Sequence, residues 1–161
     1  MSIEDNKRLV TEFNRHFATS DIQAVLDLMT ENVLWWINGD PALFPITGTI
    51  TKAEFADINR EMHSGLRDGM TMSVVGMVAE GDHVAAELRA HAVTRAGRHY
   101  DNDYHMLYTV HDGRIAAVRE YTDLMTVADV FALPTTATNS SGGTPQPDPG
   151  RDRVPAPSLP A

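Results

Sequence analysis

Near the N-terminus Leu9, Val10, Phe13 and Phe17 recur at the spacing of one helical face, which predicts an opening helix. Ser20 or Asp21 can cap a second, short helix reaching about Met29. Val33 to Asn38 reads as a strand, and residues 39–48, with their Gly and Pro, read as a loop. Thr51-Lys52-Ala53-Glu54 is a capping box that opens a third helix to about His63. From Met70 the period changes to two. Met70 to Ala79, Asp82 to Arg95, Arg98 to Val110 and Arg114 to Asp123 alternate as strands. Between them stand Glu80-Gly81, Ala96-Gly97 and His111-Asp112-Gly113, all hairpin signals. Leu124 to Ala132 predicts a closing helical turn or two. Helices first and an antiparallel meander after predict an α+β architecture in which the helices cover one face of the sheet.

Composition narrows the partners. The 161 residues, 42% hydrophobic and 22% charged, suit one globular domain. A net charge of -9 argues against nucleic acid, whose binders need clustered Lys and Arg. With no cysteine there is no disulfide, thiol nucleophile or thiolate metal site. The acidic start Met1-Ser2-Ile3-Glu4-Asp5 is not a signal peptide, and no apolar run approaches a membrane span, so a soluble cytoplasmic protein is expected. Beyond Leu133 the chain is rich in Pro, Ser, Thr and Gly. It predicts a folded domain over residues 1–133 and a disordered tail over 134–161.

The order of elements, with Trp36-Ile37-Asn38-Gly39, Gly97-Arg98-His99-Tyr100, Asp112-Gly113-Arg114-Ile115 and Arg119-Glu120-Tyr121-Thr122-Asp123, resembles the nuclear transport factor 2-like superfamily. The SnoaL-like branch is the most similar; its relatives include polyketide cyclases, ketosteroid isomerase and limonene-1,2-epoxide hydrolase. The resemblance implies a cone-shaped, curved antiparallel sheet with a pocket between sheet and helices. It also implies a homodimer through the outer sheet face, and an enzyme using neither metal nor organic cofactor.

Strand parity selects the residues expected in that pocket. A two-residue turn at Ala96-Gly97 pairs Arg95 with Arg98, hence His91 with Asn102, Arg89 with Tyr104 and Glu87 with Met106. At the next turn, a three-residue loop His111-Asp112-Gly113 sets Tyr104 opposite Glu120; a two-residue turn sets His105 there instead. The first is favoured. One face then carries Glu87, Arg89, His91, Asn102, Tyr104, Met106, Tyr108, Val118, Glu120 and Thr122. On the first strand Trp36 and Asn38 share the pocket side, while Trp35 goes with Val33 and Ile37 to the other. The opposite parity holds Asp101, Asp103, His105, Arg119 and Tyr121, expected at the dimer contact. His16, His63, His83 and His111 are expected in solvent, and no histidine shows metal-site spacing.

A buried Arg between two carboxylates is either a structural ion network or a functional site. The resemblance to the epoxide hydrolase implies a charge triad at Glu87, Arg89 and Glu120, with charges permuted, and water-holding residues at Trp36 and Asn38. The ketosteroid isomerase base falls at Trp36, which cannot move a proton. The chemistry expected is acid–base work on a small hydrophobic metabolite of polyketide or terpenoid type, as an isomerase, cyclase or hydrolase. In it Glu120 is the base, Arg89 orients it or holds a developing oxyanion, and Tyr104 or His91 donates. Asn102, Met106, Tyr108, Val118 and Thr122 would contact substrate. The competing expectation is a noncatalytic module that binds a ligand or a protein through the same fold.

Overall fold

The computed structural model describes residues 2–131; the expected tail lies outside them. Helix α1 (Ile3–Ala18) starts from a capping box in which Ser2 and Asp5 satisfy each other's backbone N–H groups. Helix α2 (Ile22–Asp27) is capped by Asp21, whose carboxylate accepts from the Ala24 amide. Strand β1 (Met29–Ile37) begins four residues earlier than the apolar pattern suggests. From the last residue of the anticipated loop to the cap of the third helix the chain pairs with it as a short strand, β2 (Gly48–Thr51). Thr51 and Glu54 form the expected capping box of α3 (Lys52–Ser64). Then come β3 (Leu66–Glu80), β4 (His83–Thr94), β5 (His99–His111), β6 (Arg114–Thr122) and the closing helix α4 (Leu124–Phe131).

The six strands form one sheet in the order β2-β1-β6-β5-β4-β3. All neighbours are antiparallel except β1 and β6, which run parallel, so the sheet is mixed where an all-antiparallel one was expected. Two register shifts in β3, at Leu66/Met70 and Val74/Gly76, mark irregularities of the kind that bend a strand. Helices α1 and α3 cover one face. There Val10 and Phe13 of α1 and Phe55 of α3 meet Trp35, Leu88, Ala90 and Tyr108 in the core. Trp35 lies between the rings of Phe13 and Phe55, with centroids 5.9 and 4.5 Å away.

Two turns decide which side chains face that core. The β4–β5 loop is Arg95-Ala96-Gly97, closed by Thr94 and Arg98, with Gly97 at φ +84° in the left-handed region. The loop therefore has three residues, not two, and the register slips by one: Glu87 pairs with His105, Arg89 with Asp103 and His91 with Asp101. A slip of one turns every side chain over. Glu87, Arg89 and His91 accordingly stand exposed on the outer face, where Arg89 reaches Asp103 at 3.2 Å and His91 reaches Asp101 at 2.7 Å.

At the β5–β6 connection Asp112 (φ +46°) and Gly113 (φ +76°) make a two-residue turn that pairs His111 with Arg114. Two steps on, the register shifts as Ala116 is left over on β6, a bulge that restores the parity. Tyr104, Met106 and Tyr108 thus share the inner face with Val118, Glu120 and Thr122, but Glu120 is opposite Met106 and Tyr104 opposite Thr122.

Candidate active site

Between the helices and the inner sheet face lies a cavity of about 380 Å³. Helix α1 contributes Phe13, Asn14 and Phe17; β1 contributes Trp35 and Ile37; α3 contributes Phe55, Ile58, Asn59, Glu61 and Met62. The sheet supplies Met70, Met72, Tyr100, Tyr104, Met106, Glu120 and Thr122, and α4 closes one side with Leu124, Val127 and Phe131. Asp123 holds the start of α4 through the Met125 amide and the Thr126 hydroxyl. Arg98 holds its end through the Asp129 carbonyl and carboxylate.

Glu120 is the deep carboxyl of this apolar chamber. Desolvation by burial raises its pKa to about 7, while the hydrogen bond from Trp35 Nε1 to its Oε2 at 2.7 Å pulls the other way. Among the described residues that line the cavity, none is Lys, Arg or His. The carboxyl therefore has no ion-pair partner and can exchange a proton near neutral pH.

A chain of neutral donors stands on the neighbouring strand. Asn102 donates from Nδ2 to the Tyr100 hydroxyl at 2.9 Å and to the Asp123 carbonyl at 3.1 Å. Tyr100 and Tyr104 share a hydroxyl contact of 2.5 Å. Tyr100 is wholly buried and its oxygen already accepts from Asn102, so the arrangement that leaves no buried hydroxyl proton stranded has Tyr100 donating to Tyr104. That frees the Tyr104 proton for the cavity. Burial raises the pKa of both phenols, and the negative charge of Glu120 adds to it, so both stay protonated and act as donors.

Of the residues expected in the pocket, Glu120, Tyr104, Met106 and Thr122 line it. Asn102 stands behind it as the support of Tyr100. Tyr108 is buried, its hydroxyl donating to the Met106 sulfur at 3.0 Å and accepting from Asn14 at 3.3 Å. Val118 is core. Asn38 follows β1 and is not in the cavity lining; it accepts through Oδ1 from the Thr122 amide at 3.2 Å. Glu87, Arg89 and His91 are outside it altogether, and so is Trp36. Trp36 packs on the outer face with the Arg119 guanidinium 4.8 Å from its ring and Tyr121 5.4 Å away. The doublet is inverted because Val33, Trp35 and Ile37 form the buried row of β1. His63 also differs from expectation: it is half-buried, bonded to Ser20 Oγ at 2.7 Å and packed on Phe17, and burial lowers its pKa.

Sequence reasoning missed Trp35, Tyr100, Asn14 and Asn59. The asparagines carry a readable signal, since Asn14 interrupts the apolar face of α1 beside Phe13, and Asn59 follows Phe55 by one helical turn.

Residues 10–118 match the SnoaL-like domain family. A curated relative, UPF0523 protein B of Dictyostelium discoideum, is 24% identical over 132 residues, covering 75% of this chain and 80% of that protein. PrhC from Penicillium brasilianum superposes with a TM-score of 0.70 at 20% identity, over 79% of this chain and 85% of PrhC. TerC, co-crystallised with polyporic acid, gives 0.68 at 18% identity, over 80% and 98%. IdmH from Streptomyces antibioticus, a proposed polyketide cyclase, gives 0.65 at 18%, over 80% and 99%. At these identities the superpositions speak for the fold.

Proposed function

Because the chain belongs to the SnoaL-like domain family, we propose that its cavity carries out acid–base catalysis on a small hydrophobic metabolite of polyketide or terpenoid type, as an isomerase or cyclase. The observation that carries this reading is Glu120: an unpaired carboxyl with a pKa of about 7, held by Trp35 inside an apolar chamber. Glu120 takes a proton from a carbon next to a substrate carbonyl, and Tyr104 donates to the carbonyl oxygen as it gains negative charge. Glu120 then returns that proton to another carbon, completing an isomerisation. In a cyclisation the enolate carbon instead attacks a second carbonyl of the same molecule, and the new alkoxide takes the proton. The bound polyporic acid of TerC and the cyclase assignment proposed for IdmH agree with a substrate of this kind. Epoxide opening by a charge triad is disfavoured, since Arg89 and Glu87 lie on the other face.

The test needs no knowledge of the natural substrate. 5-Nitrobenzisoxazole opens when a base removes the one C–H proton of its isoxazole ring, forming a nitrile and breaking the N–O bond to give a coloured phenolate. The protein is expected to accelerate this above buffer, with a rate rising through about pH 7 and absent in Glu120→Gln. Equal rates in Glu120→Gln and the unaltered protein would overturn the base assignment. Binding of aromatic ligands without any turnover would favour a noncatalytic binding module, the reading that the missing charged partners support.

The protein is further proposed to dimerise through the outer sheet face. Val78, Ala85, Leu107, Arg119 and Trp36 lie side by side across five strands there, and Val78 is 72% exposed. Among the described residues no helix is long and apolar enough to cross a membrane.

A further inference from the structure

The ionisable and polar groups around the cavity are not evenly divided between donors and acceptors. The charged residues that line it are Glu120 in its interior and Glu61, exposed at its edge; both are acidic. Strands β4, β5 and β6 do carry basic side chains, but Arg89, His91, His105 and Arg119 stand on the outer parity. Of the two asparagines in the lining, Asn14 strengthens the bias. Asn14 spends its Nδ2 on the Val10 carbonyl at 2.8 Å and on the Tyr108 hydroxyl. Asn59 spends its Nδ2 on the Phe55 carbonyl at 2.8 Å. A carbonyl partner fixes which end of each amide is nitrogen, so Asn14, with both N–H groups spent, has its amide oxygen to offer a ligand, while Asn59 has its oxygen and one N–H. Against these acceptors the cavity sets the Tyr104 hydroxyl and the second N–H of Asn59 as donors.

From this lining we infer that the cavity selects its ligands by charge: it takes uncharged, hydroxyl-bearing aromatic molecules and ammonium ions, refuses carboxylates and phosphates, and uses Glu120 as the selecting residue. The inference rests on the cavity being the substrate site and adds the class of substrate it admits. Its physical basis is the apolar lining of the chamber, where a second negative charge beside an ionised, unpaired carboxylate meets repulsion that no cation among the described lining residues offsets. A hydroxyl instead gives its proton to an acceptor already in place. Selection is also conditional. As the pH falls through about 7 Glu120 takes up a proton, the repulsion disappears, and the carboxyl becomes a donor able to receive an anion.

Three naphthalenes of one skeleton test this by calorimetry: 2-naphthol, 2-naphthoate and 2-naphthylmethylammonium, each keeping its charge between about pH 5.5 and about pH 8. At the higher pH naphthoate is expected to bind at least roughly thirtyfold more weakly than naphthol. On going to the lower pH naphthoate should tighten about tenfold, the ammonium ion should weaken, and naphthol should change less than about twofold. In Glu120→Gln the pH dependence should vanish and naphthoate should approach naphthol. Naphthoate matching naphthol at about pH 8, a flat pH dependence for naphthoate, or failure of naphthol to bind would each overturn the inference. Because the opposed trends are read on the unaltered protein, the test survives a Gln variant that does not fold. It also separates from catalysis: Glu120→Gln that stops benzisoxazole turnover yet still discriminates against naphthoate overturns selection alone. One that admits naphthoate and still turns over overturns the base alone.

Discussion

Trp35 and Glu120, 85 residues apart in the chain, are joined on adjacent parallel strands by a 2.7 Å bond from the indole N–H to the carboxylate. The bond ties the ionisable group of the cavity to a ring already clamped between Phe13 and Phe55. Since it favours the ionised form, Trp35→Phe is expected to move the midpoint of the benzisoxazole pH–rate profile upward by about one pH unit, from the loss of one charge-assisted hydrogen bond. An unmoved or lowered midpoint would show that the indole does not tune the carboxyl.

Glu120 costs the protein stability in alkaline solution. Its folded pKa of about 7 lies above the ordinary 4.5, so between those values the native state binds more protons than the unfolded chain. Stability is therefore expected to be unaffected below about pH 4.5 and to fall as pH rises through about 7, by roughly 3 kcal/mol in all. Glu120→Gln keeps an oxygen for Trp35 and removes the ionisation. Urea melts should show the variant gaining on the unaltered protein between about pH 5 and about pH 8; a constant difference would contradict the burial of this charge.

Tyr104→Phe should lower benzisoxazole turnover or substrate turnover by about a hundredfold if its hydroxyl stabilises developing negative charge, with Glu120's pH midpoint shifting little. Tyr100→Phe acts from behind, depriving Asn102 of an acceptor. It is expected to cost about 1–2 kcal/mol of stability with a smaller loss of rate.

The outer face supplies the contrasting case. Glu87→Gln and Arg89→Met are expected to leave turnover unchanged and to alter stability by less than about 1 kcal/mol, because the Arg89–Asp103 pair is well exposed. Loss of turnover in either would place the working charges on the wrong side of the sheet.

For the dimer, Val78→Asp puts a charge on the most exposed apolar position of the outer face. Sedimentation velocity should then report a monomer with an unchanged circular dichroism spectrum, and a persisting dimer would move the contact elsewhere.

Element order was legible because caps and periodicity are local. The Thr51 and Asp21 caps, the apolar face of α1 and the alternation from Met70 onward need no knowledge of partners. Facing was only half legible, because it depends on turn length counted to a single residue. Reading two residues at Ala96-Gly97 where the loop holds three displaced Glu87, Arg89 and His91 from the surface into an imagined pocket. At the next turn a shorter loop and the Ala116 bulge each move the register by one residue in the same direction, so the parity is kept and Glu120 and Tyr104 fall inside although their partners lie two residues from those expected. The parallel pairing of β1 with β6 joins distant segments and leaves no local mark, which is why Trp35 could not be told from Trp36.

The bulge at Ala116 has a genetic corollary. Beyond it β6 presents Val118, Glu120 and Thr122 inward and Arg119 and Tyr121 outward. Were Ala116 to pair with Thr109 instead of standing out, the rest of the strand would turn over and Arg119 would lie opposite Met106, putting a guanidinium where the carboxyl now is. Deleting this one codon, with the hairpin turn kept, would fix the present register. The polarity of the chamber is thus written in the count of residues along one strand as much as in their kinds: an in-frame loss of Ala116 would keep it, and an in-frame insertion beside it that changes no side chain of the site would reverse it.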